Sequence, residues 1–203
     1  MAPVTAAAGT DAMDRRDVVE YLLANRKRAL VVTGLGAPTY DVAAAGDDDR
    51  NFYLWGAMGS AATIGLGLAL AQPDLPVLVI TGDGEMLMGL GSLATIAARQ
   101  PRNLTVIVVD NERFGETGGQ HSHTALQTDL EKVAHGCGIE NARTIRSKKE
   151  LSEFAKLTEN LSGPLFACIK VKSANKPRVL PIRDGVQLKE RFRKAVLDQE
   201  SAL

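Results

Sequence analysis

Apolar residues fall along this chain in two patterns. Four short runs, at 29–33 (ALVVT), 77–81 (VLVIT), 104–110 (LTVIVVD) and 165–171 (LFACIKV), are almost uninterrupted. Such runs suit strands buried on both faces of a parallel sheet. Between them the pattern turns helical. Asp14 or Asp17 caps a predicted helix reaching about Arg28, with Val18, Val19, Leu22 and Leu23 on its apolar face. Residues 58–71 are small and apolar, with Gly59, Gly65 and Gly67, and read as a buried helix packed closely on a neighbour. Further helices are predicted over Met86–Arg99, from an Asp129 cap to about His135, from Lys148 to about Asn160, and over Val186–Leu197. A short strand is predicted near Arg143–Arg146, and the segment from Gly34 to Arg50 reads as loop with at most one helical turn. Strand and helix alternate throughout, which predicts an α/β fold: an open, mostly parallel sheet with helices on both faces.

Composition narrows the function classes. The chain has 203 residues, 45% hydrophobic, enough for one domain with a real core. Lys plus Arg and Asp plus Glu are both 24, so no global charge draws the chain to nucleic acid or an acidic membrane. No uncharged run is long enough to span a bilayer. The two cysteines, Cys137 and Cys168, lack metal-ligand spacing, and a reducing cytoplasmic setting is expected. The opening MAPVTAAAGT lacks a basic flank and a long apolar block, so residues 1–14 are expected to be a frayed terminus rather than a signal peptide. The predicted domain covers 15–175, followed by a basic extension over 176–203. Between Lys170 and Lys194 nine Lys or Arg face two acids, which reads as a solvated tail or a helix contacting a partner. The consecutive Asp47, Asp48 and Asp49 read as a solvated loop, because adjacent side chains seldom converge on one ion.

The candidate chemistry lies where two apolar strands end. The first runs into Gly82-Asp83-Gly84 and the second into Asp110-Asn111. Ligands in open α/β sheets sit at the carboxyl ends of strands. Asp83 and Asn111 are 28 positions apart, one strand-helix-strand crossover, so both return to the same edge. Gly82 and Gly84 allow a sharp turn and close approach of backbone to ligand. A helix opening near Glu85 directs free N–H groups at that point, which favours phosphate. Glu85 itself would repel diphosphate and is expected to point away or to cap the helix dipole. A carboxylate, an amide oxygen and a backbone carbonyl are hard ligands that suit Mg²⁺.

Gly82-Asp83-Gly84 followed by Asn111 resembles the signature of thiamin-diphosphate enzymes, in their diphosphate-binding domain. That resemblance implies that Asp83, Asn111 and the main-chain carbonyl of Arg113 bind the divalent ion. Family members usually show Asn-Asn and then Tyr-Gly, where this chain has Asp110-Asn111 and Phe114-Gly115. The stretch LWGAMGSAATIGLGLALA resembles the segment preceding that motif. By the resemblance, the Gly56 carbonyl accepts a bond from the cofactor's 4′-amino group, and Met58, after Ala57, wedges under the cofactor. Met86, Glu116 and Thr117 complete the cofactor candidates. Residues 82–96 (GDGEMLMGLGSLATI) and 116–124 (ETGGQHSHT) resemble the sulfopyruvate and phosphonopyruvate decarboxylase group more specifically. This implies decarboxylation of a small anionic 2-keto acid, with Gly118, Gly119, Gln120 and His121 lining the substrate side. His121 and His123 are candidates to deliver a proton or bind a substrate anion, and Arg178 and Arg183 could reach such an anion.

The family also requires a pyrimidine-binding domain whose glutamate activates the cofactor. About 50 residues precede Asn51, too few for such a domain. Glu20, the upstream candidate, reads as a solvated helix position. The activating glutamate is therefore expected from a second subunit, in a hetero-oligomer of paired dimers. The alternatives within these readings are a carboligase subunit of the acetolactate-synthase kind, and a cofactor-binding interaction subunit without catalysis.

Overall fold

The computed structural model describes residues 12–24, 26–158 and 160–200. The segment expected to be a frayed terminus therefore lies mostly outside the described residues. Helices are α1 (Arg15–Ala24), α2 (Ala37–Ala44), α3 (Ala61–Ala71), α4 (Asp83–Met88), α5 (Gly91–Arg99), α6 (Leu130–Cys137), α7 (Lys148–Leu157) and α8 (Gly185–Glu200). Strands are β1 (Leu30–Thr33), β2 (Asn51–Tyr53), β3 (Val77–Gly82), β4 (Leu104–Asp110), β5 (Arg113–Phe114), β6 (Gln120–His121), β7 (Asn141–Ile145) and β8 (Leu165–Lys170).

Six strands form one parallel sheet in the order β2-β1-β3-β4-β8-β7. The expected α/β architecture is present. The apolar runs are its central strands, and β4 is buried at every position. Alternate side chains feed two cores. On one face Val77, Val79, Val106 and Val108 meet α3, α5 and α6. On the other Leu78, Ile80, Ile107 and Val109 meet α1, α2 and α7. Local sequence fixes several helix starts. Asp129 accepts from the Lys132 N–H, and Ser147 with Glu150 forms a capping box. Gly65 lets α3 lie on β3, since a Cβ there would sit 2.1 Å from Val79 Cγ2.

The fold differs from expectation at β2, an edge strand that the sequence analysis does not predict, and at four further places. The helix predicted over Met86–Arg99 is two helices, α4 and α5, broken at Gly89. A Cβ at Gly89 would lie 2.2 Å from the Gly59 carbonyl oxygen, so only glycine fits where the junction of the two helices meets the 57–60 turn. The Gly34–Arg50 segment holds a two-turn helix, α2, opened by Pro38 in its first turn. The loop after β4 contains the β5–β6 hairpin, with Arg113 opposite His121. Asp47 and Asp48 do not form a merely solvated loop. Asp48 is paired with Arg26 and Arg50, and Asp47 accepts from the Tyr53 hydroxyl and Arg191.

The chain past β8 also has a defined course. α8 packs Leu188, Phe192 and Val196 into the two cores, and Phe192 stacks edge-on against Phe52 of β2. Residues 172–184 link the end of β8 to α8 as a strap without helix or strand. No helix among the described residues is long and apolar enough to cross a membrane.

Candidate functional site

Parallel pairing of β3 with β4 sets Gly82 opposite Val109. The next residues, Asp83 and Asp110, therefore leave the sheet side by side at its carboxyl edge. Both are buried, at 3% and 0% exposure. Each needs compensation, because an ionised carboxylate without partners is costly away from water. Asp110 has it in full. Its Oδ2 accepts from Lys170 Nζ at 2.7 Å and from Cys168 Sγ at 3.3 Å. Its Oδ1 accepts from Thr124 Oγ1 at 2.8 Å and from the Glu112 N–H at 2.9 Å. Asp83 has less. Burial, then the neighbouring Asp110 charge, pushes its carboxyl up to about 6, against hydrogen bonds from Ser122 and nearby backbone.

Asp83 opens into a cavity of about 600 Å³, while Asp110 stays behind its wall. Its walls come from the β1–α2 turn, the 55–58 segment, the start of α4, the 109–117 loop and the strap. Of the predicted cofactor residues, Met58, Gly82, Asp83, Gly84, Glu85, Asn111, Arg113, Phe114, Gly115, Glu116 and Thr117 line it. Gly56, Ala57 and Met86 do not. Met86 is core, and Ala57 takes a left-handed conformation at φ 56° that turns the chain at Met58. Gly84 lies against the Phe114 ring, where a Cβ would sit 2.9 Å from two ring carbons. Only glycine lets that wall close.

Glu85 lines the cavity, but its carboxylate is taken up by backbone N–H groups of other segments rather than by its own helix. Its Oε2 accepts from the Leu35 N–H at 2.7 Å, and its Oε1 from the N–H groups of Gly59 and Ala61 at 3.3 and 3.4 Å. It thereby ties β1 and the start of α3 to the start of α4. Gly34 makes room, since a Cβ there would fall 2.0 Å from Glu85 Oε2.

The hairpin carries the remaining candidates outside the cavity wall. Gly118, Gly119, Gln120 and His121 do not line it. His121 is exposed on β6, and His123 packs edge-on to the Phe114 ring at 6.0 Å. Arg113 Nη1 donates to the Gly119 carbonyl, and its own N–H donates to Asn111 Oδ1 at 3.0 Å, which holds the loop shut on itself. Glu20 is exposed on α1 and is not part of the cavity. Arg178 reaches the cavity, whereas Arg183 lies over the Trp55 ring at 5.4 Å.

Sequence reasoning missed several participants. Arg15, Tyr40 and Asp41 line the cavity from α1 and α2. Asp41 is buried and paired to Arg15 and Arg16, and burial raises its carboxyl despite those partners. The Lys170–Asp110 pair was also missed. Its signal was present, because Asp where the related family shows Asn at a strand end calls for a nearby cation.

The donor set can be tested against a metal ion. Among the described residues no three His, Cys, Asp or Glu side chains cluster as metal ligands. A cation here must rely on Asp83, the Asn111 amide, a main-chain carbonyl and the oxygens of its ligand. That hard, sparse set fits Mg²⁺ held through phosphate and does not fit Zn²⁺.

Comparison with known proteins identifies the family. Residues 41–171 match the family described as thiamine pyrophosphate enzyme, C-terminal TPP binding domain. The chain is 41% identical over 147 residues to sulfopyruvate decarboxylase subunit beta of Methanocaldococcus jannaschii, covering 72% of this chain and 76% of that one. It is 36% identical over 184 residues to the subunit of the same name from Methanothermobacter thermautotrophicus, covering 91% and 96%. Phosphonopyruvate decarboxylase of Streptomyces viridochromogenes is 38% identical over 181 residues, 86% of this chain but 44% of that longer one. A solved structure from Mycobacterium smegmatis, named "a putative thiamin diphosphate-dependent enzyme", superposes with a TM-score of 0.68 at 21% identity. It covers 80% of this chain and 32% of that one, and shows the shared fold.

Proposed function

Since the chain belongs to the thiamine pyrophosphate enzymes, through their C-terminal cofactor-binding domain, we propose that it is the diphosphate- and Mg²⁺-binding subunit of a two-chain decarboxylase. The substrate is a small anionic 2-keto acid, of the sulfopyruvate or phosphonopyruvate kind named for its relatives. The observation that carries this reading is the convergence of buried Asp83 and cavity-lining Asn111 at adjacent parallel strand ends.

Asp83, the Asn111 side chain and the Arg113 carbonyl would hold Mg²⁺, with Gly82, Gly84 and the opening turn of α4 beside the diphosphate. Met58 lines the wall where the cofactor's rings would rest. Bound thiamin diphosphate supplies an electron sink for the pair left when CO₂ departs. Asp110 stays outside the metal shell, occupied by Lys170, Cys168 and Thr124, and holds the Asn111 loop in place. Glu85 is tied to backbone N–H groups and holds the fold. The activating glutamate, which the family carries on its pyrimidine-binding domain, would come from a partner subunit bearing that domain. Three relatives bear the name "subunit beta", which supports a partner chain. Gly118, Gly119, Gln120, His121 and His123, outside the present wall, would meet the substrate once that partner completes the site. The reading includes a cytoplasmic assembly of paired dimers.

Native mass spectrometry of the tagged chain, recovered from its own host, tests the assembly. A complex with a second chain carrying thiamin diphosphate is expected. Asp83→Ala should abolish Mg²⁺-dependent cofactor retention and aldehyde formation. Unchanged turnover by that variant in the assembled complex would overturn the reading.

A further inference from the structure

Four cationic side chains line the cavity: Arg15, Arg113, Lys176 and Arg178. Three are committed to holding the fold. Arg15 is paired with buried Asp41, Arg113 with the Gly119 carbonyl, and Lys176 with Asp14 at 2.6 Å. Arg178 differs. Its partner is Glu116, at 2.8 Å, and the two side chains are 61% and 49% exposed. A pair that solvated contributes little and exchanges readily. The guanidinium is nevertheless well placed, lying 5.5 Å over the Tyr40 ring.

The backbone on either side of it is pinned. Arg16 Nη2 donates to the Pro177 carbonyl at 2.8 Å, and Trp55 Nε1 to the Ile182 carbonyl at 2.8 Å. Arg178 is thus a fixed fork on the cavity rim with a replaceable counter-ion. A guanidinium matches a phosphonate, sulfonate or carboxylate with two parallel hydrogen bonds.

We propose that Arg178 is the specificity-determining residue for the far-end anion of the substrate, and that Glu116 is a place-holder displaced when that anion binds. The inference rests on the decarboxylase reading for the identity of the ligand but not for the existence of the anion site. Glu116 sits on the loop that follows the metal-binding position, so its release links anion capture to the same loop that Arg113 and Asn111 brace.

The test titrates phosphonoacetate, with acetate as control, by calorimetry. It uses the full chain, with its partner where one co-purifies, in excess thiamin diphosphate and Mg²⁺ so that the diphosphate end is filled. Phosphonoacetate should bind the wild type. Arg178→Ala should weaken it at least tenfold, Arg178→Lys less, and Glu116→Gln should tighten it, while acetate stays weak throughout. No binding to the wild type, or equal binding by Arg178→Ala, overturns the proposal. In turnover, Arg178→Ala should raise KM for the anionic keto acid far more than for pyruvate. If decarboxylation proceeds but that preference survives, the anion site falls and the decarboxylase reading stands. If no 2-keto acid is turned over while phosphonoacetate still binds through Arg178, the decarboxylase reading falls and the anion site stands.

Discussion

Lys170→Met removes the cation from a buried carboxylate and so probes what holds the metal loop. Lys170 faces Asp110 across the β4–β8 ladder and reaches both Asp110 and Glu112 at 2.7 Å. Burial pulls the lysine's pKa down, but these two partners outweigh it and leave it raised. Methionine keeps most of the stem's packing and removes the charge. Asp110 then stays fully buried beside Asp83 with no cation. Breaking a buried pair from one side costs roughly 3–5 kcal/mol. The bonds from Thr124, Cys168 and the Glu112 N–H remain, so about 3 kcal/mol is expected. For a chain of this size that lowers Tm by roughly 6–12 °C. The double variant Asp110→Asn, Lys170→Met removes both charges and leaves an oxygen to accept from Thr124, so it should recover most of the loss. Thermal and urea unfolding of the three variants measures this. A Lys170→Met variant within 1 kcal/mol of wild type, or a double variant no more stable than the single one, would refute the reasoning.

Glu85→Ala strands the N–H groups of Leu35, Gly59 and Ala61 and should cost about 2–3 kcal/mol by urea unfolding, with Gly34→Ala, which intrudes on the same carboxylate, losing a comparable amount. Gly84→Ala should push the Phe114 ring from the cavity wall and weaken thiamin diphosphate binding at least tenfold in a titration, with a smaller effect on Tm. Asp48 is held down at about 2, mainly by its hydrogen bonds from Arg50, so its contribution is present above its unfolded value of 3.8 and is lost as pH falls toward 2. Allowing for its partial exposure, Asp48→Asn should cost about 1 kcal/mol at neutral pH, and urea midpoints should show the gap shrinking between pH 4 and 2.

What could be read from sequence was what neighbours along the chain decide. Uninterrupted apolar runs mark the central strands because both faces are covered. The right-handed crossover then obliges Asp83 and Asn111 to emerge at one edge. What could not be read depends on distant partners. The need for glycine at position 89, between α4 and α5, comes from the close approach of Gly59, 30 positions earlier. The Asp47 and Asp48 loop looked solvated because Arg26 and Arg191 reach it from far along the chain. Glu85 was legible as a carboxylate that must avoid phosphate, but the N–H groups that donate to it, from Leu35, Gly59 and Ala61, are set by how the chain after β1 and before α3 approaches α4.

The strap shows how such a distant cause can build a site. β8 ends near one side of the sheet, and α8 packs on β2 at the opposite edge. The link between them must therefore pass over the carboxyl ends of β4, β3 and β1. Four strand spacings amount to roughly 19 Å, well within the roughly 45 Å that 172–184 can span. The slack lets the strap settle where Arg16, Trp55 and Glu116 bind it. In the sequence Arg178 is one of many basic residues in a polar tail. Leu188, Phe192 and Val196, by anchoring α8, turn it into part of the cavity wall. Replacing Phe192 with Ala should therefore loosen α8 and weaken phosphonoacetate binding without touching the anion site itself, whereas a tail that acts only as a solvated appendage would leave that binding unchanged.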